Sequence, residues 1–230
     1  MGITQNQIAV VLLGRPGSGK GTQAQLLAAS GWRHVNVGGL VRSRVAAQTA
    51  WGKRASQFML RGELLPSQVI QELLANELIC GKFPVVIEGY PRRLEEAGAV
   101  SEMCGSGTQE IPIYIDVSIS VSIARLNARL VCQVCGSVDR IGVRVTCAYC
   151  GGTLTSRADD LSETAIARRM ELFELETIPL VDYYKSRGSL INISSEGKEL
   201  DVHKELMEKI SAQASTAKVH PEPDDRRNLL

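Results

Sequence analysis

Residues 8–23 read IAVVLLGRPGSGKGTQ, and this stretch decides the fold. Ile8–Leu13 is a continuous apolar run of a strand's length, which predicts a β-strand buried on both faces. Gly14–Lys20 fits the pattern G-x-x-x-x-G-K and is followed by a helical pattern. Such a loop points backbone N–H groups at phosphate oxygens, and the helix N-terminus adds partial positive charge. A phosphate-binding loop between a buried strand and a helix is therefore predicted.

Strand and helix patterns alternate along most of the chain. Further strands are predicted at 84–88, 111–117 and 190–193, and helices at 20–29, 67–79, 94–104, 120–129 and 162–185. This alternation favours a parallel sheet with helices on both faces, the α/β class. Two segments interrupt it: 36–65, which is mostly helical, and 130–157, which is rich in glycine, cysteine and β-branched residues.

Composition narrows the functional classes. The 230 residues are 44% hydrophobic and carry a formal charge of +1, so no net field favours nucleic acid or an anionic membrane. No apolar run approaches the roughly 20 residues of a membrane span, and the start of the chain lacks a signal-peptide pattern. We expect a cytoplasmic protein that binds neither nucleic acid nor membrane, and nothing in the sequence requires association, so we expect a monomer.

The polar residues of the glycine loop have a clear chemical use. Lys20 would bridge the outer phosphates of a nucleotide, and the hydroxyl of Thr22 or Ser18 would lie near magnesium. The alternative is a plain glycine-rich turn, which the strand before it and the helix after it disfavour.

Gly21 lies between Lys20 and Thr22, whereas most phosphate loops place Ser or Thr directly after the lysine. With this ending, Gly14–Gln23 closely resembles the nucleotide loop of adenylate kinases, G-x-P-G-x-G-K-G-T-Q, and the resemblance continues to about Ile210. It implies a doubly wound parallel sheet of the P-loop NTPase type with two mobile insertions. The predicted division is a core of 1–35, 66–128 and 161–211, a helical monophosphate-binding insertion of 36–65, and a small β lid of 129–160. The composition of 212–230 predicts a disordered tail.

Arginines occupy many of the positions where the family has them. Phosphoryl transfer needs two anions brought close and the charge on the transferring oxygens neutralised, and arginine binds phosphate bidentately. The resemblance implies that Arg42, Arg92 and Arg168 grip the monophosphate, while Arg129 and Arg157 neutralise the transferring group. Arg125 and Arg129, four residues apart, are predicted on one helix face. Each arginine taken alone could be a solvated surface charge; the set in register with the loop argues against that.

The same resemblance implies the remaining site residues. The expected catalytic residues are Lys20, Arg92, Arg129, Arg157 and Arg168. The expected ATP contacts are Gly17, Ser18, Gly19, Lys20, Gly21, Thr22, Arg129, Val138, Asp139 and Lys198. The expected AMP contacts are Val37, Arg42, Glu63, Leu64, Leu65, Gly89, Tyr90, Pro91, Arg92, Glu96, Arg157 and Arg168. Thr22 and Glu88 would serve a magnesium ion bound with ATP, and Asp159 and Asp160 would hold the lid arginines.

Four cysteines fall in the predicted lid. Cys132 and Cys135 form one C-x-x-C unit, Cys147 and Cys150 form another, and 11 residues separate the units. Four thiolates at this spacing suit a structural tetrahedral zinc, and some bacterial adenylate kinases are similar in having a zinc-bearing lid. Two disulfides are the alternative, but within C-x-x-C units they would be strained redox bonds.

The sequence departs from the family pattern at the monophosphate site. Val37 and Gly39 replace the threonine and the acidic residue of an S-T-G-D segment, and Glu96 aligns with a glutamine that reads adenine. The aromatic residue that commonly follows the first cysteine pair is replaced near Val138 and Asp139. The resemblance implies an adenylate kinase that converts ATP and AMP into two ADP. The alternatives are a kinase for another nucleoside monophosphate and a weakly active regulatory protein that binds nucleotide.

Overall fold

The computed structural model describes residues 7–60, 63–79, 82–105 and 107–216. Its centre is a five-stranded parallel sheet in the order β2-β3-β1-β4-β8. The strands are β1 (Gln7–Leu13), β2 (Arg33–Asn36), β3 (Val85–Glu88), β4 (Thr108–Asp116) and β8 (Ile191–Ser194). Because β1 lies between β3 and β4, the strand order reverses at its carboxyl end, where open parallel sheets bind ligands.

Both faces of the sheet are covered, as the apolar run of β1 predicts. Ala9, Val11 and Leu13 pack into the core on one side, while Val10 and Leu12 pack into the core on the other. All five side chains are at most 2% exposed. The α/β class and the doubly wound sheet are therefore confirmed.

Nine α-helices occur in the part of the chain that the structure describes. They are α1 (Lys20–Ala29), α2 (Val37–Ala46), α3 (Ala50–Leu60), α4 (Ser67–Ile79), α5 (Ala99–Cys104), α6 (Ile119–Asn127), α7 (Glu163–Leu172), α8 (Ile178–Ser186) and α9 (Glu199–Thr216). A π-helical turn, Phe173–Thr177, joins α7 to α8. None of the described helices has the length and apolar character that crossing a membrane requires.

The two interruptions of the strand–helix alternation form distinct pieces of structure. In the first, α2 begins where the Asn36 side chain accepts a hydrogen bond from Gly39 N at 2.7 Å, and α3 packs against α2. The second holds three short antiparallel strands in the order β6-β5-β7. These strands are β5 (Arg129–Cys132), β6 (Val138–Arg140) and β7 (Leu154–Thr155).

Several boundaries differ from the predicted ones. Strand β2 was not predicted, because its four residues include only one apolar residue, Val35. The helix predicted over 94–104 is broken at Gly98. The φ of Gly98 is 79°, in the left-handed region that glycine adopts without strain. Helix α9 continues to Thr216, into the segment predicted as a disordered tail, and 217–230 lies outside the described residues.

Candidate functional site

The glycine loop follows β1 directly and packs tightly against its neighbours. A Cβ atom on Gly17 would lie 2.5 Å from the carbonyl oxygen of Ser122, and the φ of Gly17 is 81°. Ser122 in turn donates a hydrogen bond to the carbonyl of Pro16. Only glycine fits both the space and the backbone angle at this position. The loop is thus held against α6 with its backbone free of side-chain bulk.

Lys20 is folded over the loop that it terminates. Its Nζ donates to the carbonyls of Gly14 at 2.6 Å and Arg15 at 2.8 Å, and contacts Ser18 Oγ at 3.3 Å. Burial lowers the pKa of Lys20 to about 7, although the nearby Glu88 carboxylate opposes the shift. A phosphate in the loop would supply the negative charge that stabilises the ammonium form.

Glu88 ends β3 beside the start of α1. It is 9% exposed, and its Oε1 lies 3.3 Å from Nε2 of His34. A Cβ atom on Gly21 would lie 3.4 Å from Glu88 Oε2, so the carboxylate approaches the first turn of α1 where Thr22 also lies. A carboxylate and a hydroxyl on neighbouring elements are the oxygen ligands that magnesium prefers, directly or through water.

Two aspartates at the end of the lid organise three arginines. Arg129 donates to both carboxylate oxygens of Asp160, at 2.7 and 2.6 Å. Arg169 donates to the same carboxylate at 2.8 Å and to the carbonyl of Asp159 at 3.0 Å. Arg157 donates from Nε to Asp159 at 2.9 Å. Asp159 thus holds Arg157, as the sequence predicts, and the two aspartates also hold Arg129 and Arg169, whereas Arg168, the other arginine expected there, pairs with Glu171.

These groups influence one another's protonation. Burial lowers the pKa of Arg129, and the hydrogen bond to Asp160 opposes that shift. Burial would raise the pKa of Asp159, but Arg157 and Arg169 outweigh it and hold that pKa below its usual value. The result is a compact cluster with more guanidinium than carboxylate groups, which is suited to a polyanionic ligand.

Arg168 does not join this cluster. It is 45% exposed on its side chain and pairs with Glu171 at 2.6 Å, while its neighbour Arg169 reaches Asp160. The difference follows from the helix period, because Arg169 lies three residues after the buried Ile166 and four before the buried Phe173. Arg169 was not predicted from the sequence, although its spacing from Ile166 and Phe173 marks it as a residue on the inner face of the helix.

Arg125 and Arg129 also separate, contrary to the prediction of one shared helix face. Helix α6 ends at Asn127, so Arg129 begins β5 instead. Arg125 donates to Oγ of Ser195 at 3.0 Å and to its carbonyl at 2.6 Å. The lid strand β6 lies on the same side, because Arg140 pairs with Glu199 at 2.8 Å.

The residues expected near the donor base are spread between the lid and α9. A Cβ atom on Gly21 would lie 3.4 Å from a methyl group of Val138, so the lid strand approaches the phosphate loop. Asp139 lies beside Val138 and is 3.9 Å from Arg144. Lys198 is exposed, and its carbonyl accepts from the N–H groups of Asp201 and Val202 at the start of α9.

At the carboxyl ends of the neighbouring strands β2 and β3, the start of α2 meets the segment that follows β3. A Cβ atom on Gly89 would lie 3.4 Å from the backbone nitrogen of Gly38 and 3.5 Å from the guanidinium of Arg92. The guanidinium of Arg42 is 3.1 Å from a Cβ position on Gly38. Burial, and secondarily the charge of Arg157, lower the pKa of Arg42 to about 10. The structure therefore brings Arg42 and Arg92 to one place.

A cavity of about 390 Å³ lies beside this segment. Its lining includes Glu63, Leu64 and Arg168, three of the residues expected at the monophosphate. Arg93, which the sequence analysis did not single out, lines it too and donates to the carbonyl of Leu65 at 2.8 Å. Val37, Tyr90 and Pro91 are buried under this region, and Glu96 is buried beside it.

The four lid cysteines form a compact cluster. Their sulfur atoms all lie within 4.8 Å of one another, with Cys132 and Cys150 3.4 Å apart and Cys135 and Cys147 3.5 Å apart. All four are free thiols, so neither disulfide of the alternative hypothesis is present. Four sulfurs about 2.3 Å from a central ion in a tetrahedron lie about 3.8 Å apart, close to these separations. The cluster could hold a metal ion.

Comparison with known proteins identifies relatives along most of the chain. A family model described as adenylate kinase matches residues 12–189. The adenylate kinase of Caldicellulosiruptor saccharolyticus is 32% identical over 215 residues, which cover 89% of this chain and 99% of that protein. The adenylate kinase of Thermodesulfovibrio yellowstonii is 36% identical, covering 82% and 92%. That of the archaeon Methanocella arvoryzae is 35% identical, covering 83% and 92%.

Proposed function

The chain belongs to the adenylate kinase family, and from this premise we propose how it phosphorylates AMP. It is a nucleoside monophosphate kinase, a phosphotransferase that uses ATP. The proposed reaction is the reversible transfer of the terminal phosphate of magnesium-bound ATP to AMP, which gives two ADP. The observation that carries the proposal is that these cations converge on one place. Arg92, Arg129 and Arg169 are near enough to lower the pKa of Lys20, and the guanidinium groups of Arg42 and Arg92 lie beside the adjoining backbones of Gly38 and Gly89.

On the donor side, the loop Gly17–Thr22 binds the ATP phosphates through backbone N–H groups. Lys20 leaves the carbonyls of Gly14 and Arg15 and bridges the outer phosphates, a move favoured because the phosphate stabilises its charge. Thr22 and Glu88 would hold the magnesium ion that accompanies ATP, directly or through water, and the ion would supply positive charge against the phosphates.

Between the two nucleotides, Arg129, Arg157 and Arg169 neutralise the transferring group. Their carboxylate partners fix the guanidinium groups in advance, so little reorganisation is needed when negative charge develops. Arg169 joins Arg129 and Arg157 in this role, whereas Arg168, which was expected to grip the monophosphate, is turned outward to Glu171. Arg168 is left as an outer contact at the rim of the acceptor cavity, which it lines.

On the acceptor side, Arg42 and Arg92 bind the monophosphate where the backbones of Gly38 and Gly89 approach. Glu63 and Leu64 line the cavity that would take the base, and Leu65 adjoins them and accepts a hydrogen bond from Arg93. Val37 keeps the buried position of the family threonine without its hydroxyl, so the phosphate depends more on the arginines here.

The insertions 36–65 and 129–160 act as two covers that close over the nucleotides. Closure excludes water and so suppresses ATP hydrolysis, and reopening of the lid limits turnover. The contact of Arg140 with Glu199 supports a closed lid in which Val138 and Asp139 face the donor nucleotide, with Lys198 at its edge.

Zinc is the metal that we propose for the cysteine cluster. Four thiolates favour zinc over magnesium or calcium, and a site with four protein ligands has no open position for catalysis. The ion would stabilise a lid whose three strands are too short to build a core of their own. We further propose that the protein acts as a cytoplasmic monomer without nucleic acid or membrane partners.

Phosphorylation of a nucleoside monophosphate other than AMP is the second candidate function, and it depends on which base the acceptor site binds. Glu96 stands where the family uses glutamine, and an ionised carboxylate cannot donate a hydrogen bond. The test is to incubate the enzyme with magnesium, ATP and each of AMP, GMP, CMP and UMP, and to measure nucleoside diphosphate. We expect AMP to be the preferred acceptor. Preference for another monophosphate would establish the altered acceptor, and ATP binding without any diphosphate would favour the regulatory protein.

A further inference from the structure

Two adjacent glutamates beside the acceptor cavity have different surroundings. Glu96 is 2% exposed and is not part of the cavity lining, whereas Glu95 is exposed and lines the cavity. The alignment with a base-reading glutamine would place the side chain of Glu96 against the acceptor base. Its burial behind the cavity wall is at odds with that position.

Both carboxylate oxygens of Glu96 are already engaged by the protein. Oε2 accepts from the backbone nitrogens of Arg92 at 2.7 Å and Arg93 at 3.1 Å. Oε1 accepts from the Ser67 hydroxyl at 2.7 Å. A carboxylate offers about four lone pairs, so three of them are used before any ligand binds. A carboxylate that accepts backbone N–H bonds in this way fixes the turn that supplies them.

The turn fixed by Glu96 is the one that carries Arg92. The Arg92 Nε donates to the carbonyl of Gly89 at 2.9 Å, so the side chain returns to the start of its own segment. Glu96 holds the backbone at Arg92 from the other end. Ser67 is the first residue of α4, so the hydrogen bond from its hydroxyl to Glu96 ties the segment that carries Arg92 to the start of α4. The direction of the Arg92 guanidinium therefore depends on Glu96.

We infer that Glu96 is a positioning residue for Arg92 and does not read the acceptor base. The inference rests on the proposed function, because it assigns Glu96 to the grip on the monophosphate. Glu96 acts through Arg92: it holds the guanidinium where the phosphate of the acceptor arrives. The role expected from the aligned glutamine, selection for the amino group of adenine, is absent.

The decisive experiment compares three ligands on the wild type and on Glu96→Gln. AMP carries both phosphate and amino group, adenosine lacks the phosphate, and purine riboside 5′-monophosphate lacks the amino group. Glutamine has one amide oxygen that can accept, and its NH2 group can only donate, so either the contacts with the Arg92 and Arg93 nitrogens or the contact with the Ser67 hydroxyl is lost. We expect the affinity ratio of AMP to adenosine to fall about tenfold, the effect of losing a hydrogen bond to a charged group. We expect the ratio of AMP to purine riboside 5′-monophosphate to stay within about twofold.

Controls separate positioning from general damage. Ser67→Ala leaves the contacts of Glu96 Oε2 with Arg92 and Arg93 in place and removes the hydroxyl that contacts Oε1 of both Glu96 and Glu95, so we expect a smaller fall in the ratio of AMP to adenosine. Glu205→Gln removes an exposed acid that pairs with Lys209, and both ratios should equal those of the wild type. Uniform weakening of all three ligands in Glu96→Gln, or a changed amino-group ratio, overturns the inference. Failure of the wild type to form ADP from ATP and AMP would instead contradict the proposed function, so the two failures are distinguishable.

Discussion

Arg129 and Asp160 form a bidentate ion pair across the base of the lid, with donor–acceptor distances of 2.7 and 2.6 Å. Asp160 is almost fully buried and Arg129 largely so, with side-chain exposures of 2% and 16%. The pair lies where the chain enters the lid at β5 and leaves it before α7. It therefore fixes the guanidinium that we propose binds phosphate, and it joins the segments at which the chain enters and leaves the lid.

Replacing Asp160 with asparagine should remove the negative charge that Arg129 and Arg169 share. Arg129 and Arg169 would lose a shared charge partner, so we expect kcat to fall about 10- to 100-fold. We also expect Tm to fall by several degrees, because breaking a buried pair leaves an uncompensated charge. Steady-state kinetics and thermal unfolding provide the measurements.

The matched control for that variant is Glu72→Gln. It breaks the ion pair between Arg54 and Glu72, whose side chains are 58% and 59% exposed. Because an exposed pair contributes little, kcat and Tm should stay nearly unchanged. An Asp160→Asn enzyme with the wild-type kcat would show that the pair has no part in turnover.

Lys20 should take up a proton when ATP binds. Its pKa is about 7 in the free enzyme, so at about pH 8 most molecules hold the neutral amine. Phosphate oxygens favour the ammonium form, so binding should draw close to one proton per ATP from the buffer. Calorimetry in buffers of different ionisation enthalpy measures this uptake.

The Lys20→Met variant removes the titrating group and should abolish the uptake. It should also lower kcat by about a hundredfold or more, because a charge on the transferring phosphates is lost. Lys209→Met, at an exposed lysine paired with Glu205, should retain both properties. Proton uptake by the wild type that equals that of Lys20→Met would mean that Lys20 is already charged in the free enzyme.

The same pKa predicts how Lys20 affects stability. The folded pKa is lowered from 10.5 to about 7, so between these values the unfolded chain binds more protons and stability rises with pH. The penalty for burying the ammonium is fully present below about pH 7 and disappears toward higher pH. Lys20→Met should therefore raise the free energy of unfolding more at about pH 6 than at about pH 9. Urea titrations at both pH values measure this, and a gain independent of pH would contradict it.

The lid cluster should contain about one zinc ion per chain. Removing the ion with a chelator should lower Tm and unfold the lid, because the three short strands rely on the metal. Cys147→Ser should abolish zinc binding, whereas Cys104→Ser, at a half-buried cysteine in α5, should retain it. Metal analysis and thermal unfolding suffice for the comparison. A metal-free protein with an unchanged Tm would refute the zinc assignment.

Sequence reasoning predicted the elements whose residues carry a strong local signal. The bounds of α1 and α4 agree with the predicted 20–29 and 67–79; α1 begins where the glycine loop ends, and α4 begins directly after Pro66. Strand β2 was missed because Arg33, His34 and Asn36 are polar, and only pairing with β3 makes them a strand. The predicted helix over 162–185 is interrupted by the π-helical turn Phe173–Thr177, which local propensity does not specify.

At the site, residue types were easier to predict than directions. Lys20, Glu88 and the cysteine cluster lie where their motifs imply. Arg168 was predicted and Arg169 was not, because sequence resemblance does not show which of two consecutive arginines faces the aspartates. The contacts of Glu96 depend on a turn and on Ser67, 29 positions away in the chain, so no local pattern reveals them.

Product stoichiometry is the most direct test of phosphoryl transfer from ATP to AMP. The purified protein would be mixed with magnesium, ATP and AMP, and all nucleotides and inorganic phosphate would be quantified over time. The account predicts two ADP formed for each ATP consumed, no release of phosphate, and formation of ATP and AMP when ADP alone is supplied. Release of phosphate without consumption of AMP, or ATP binding with no ADP formed, would contradict it.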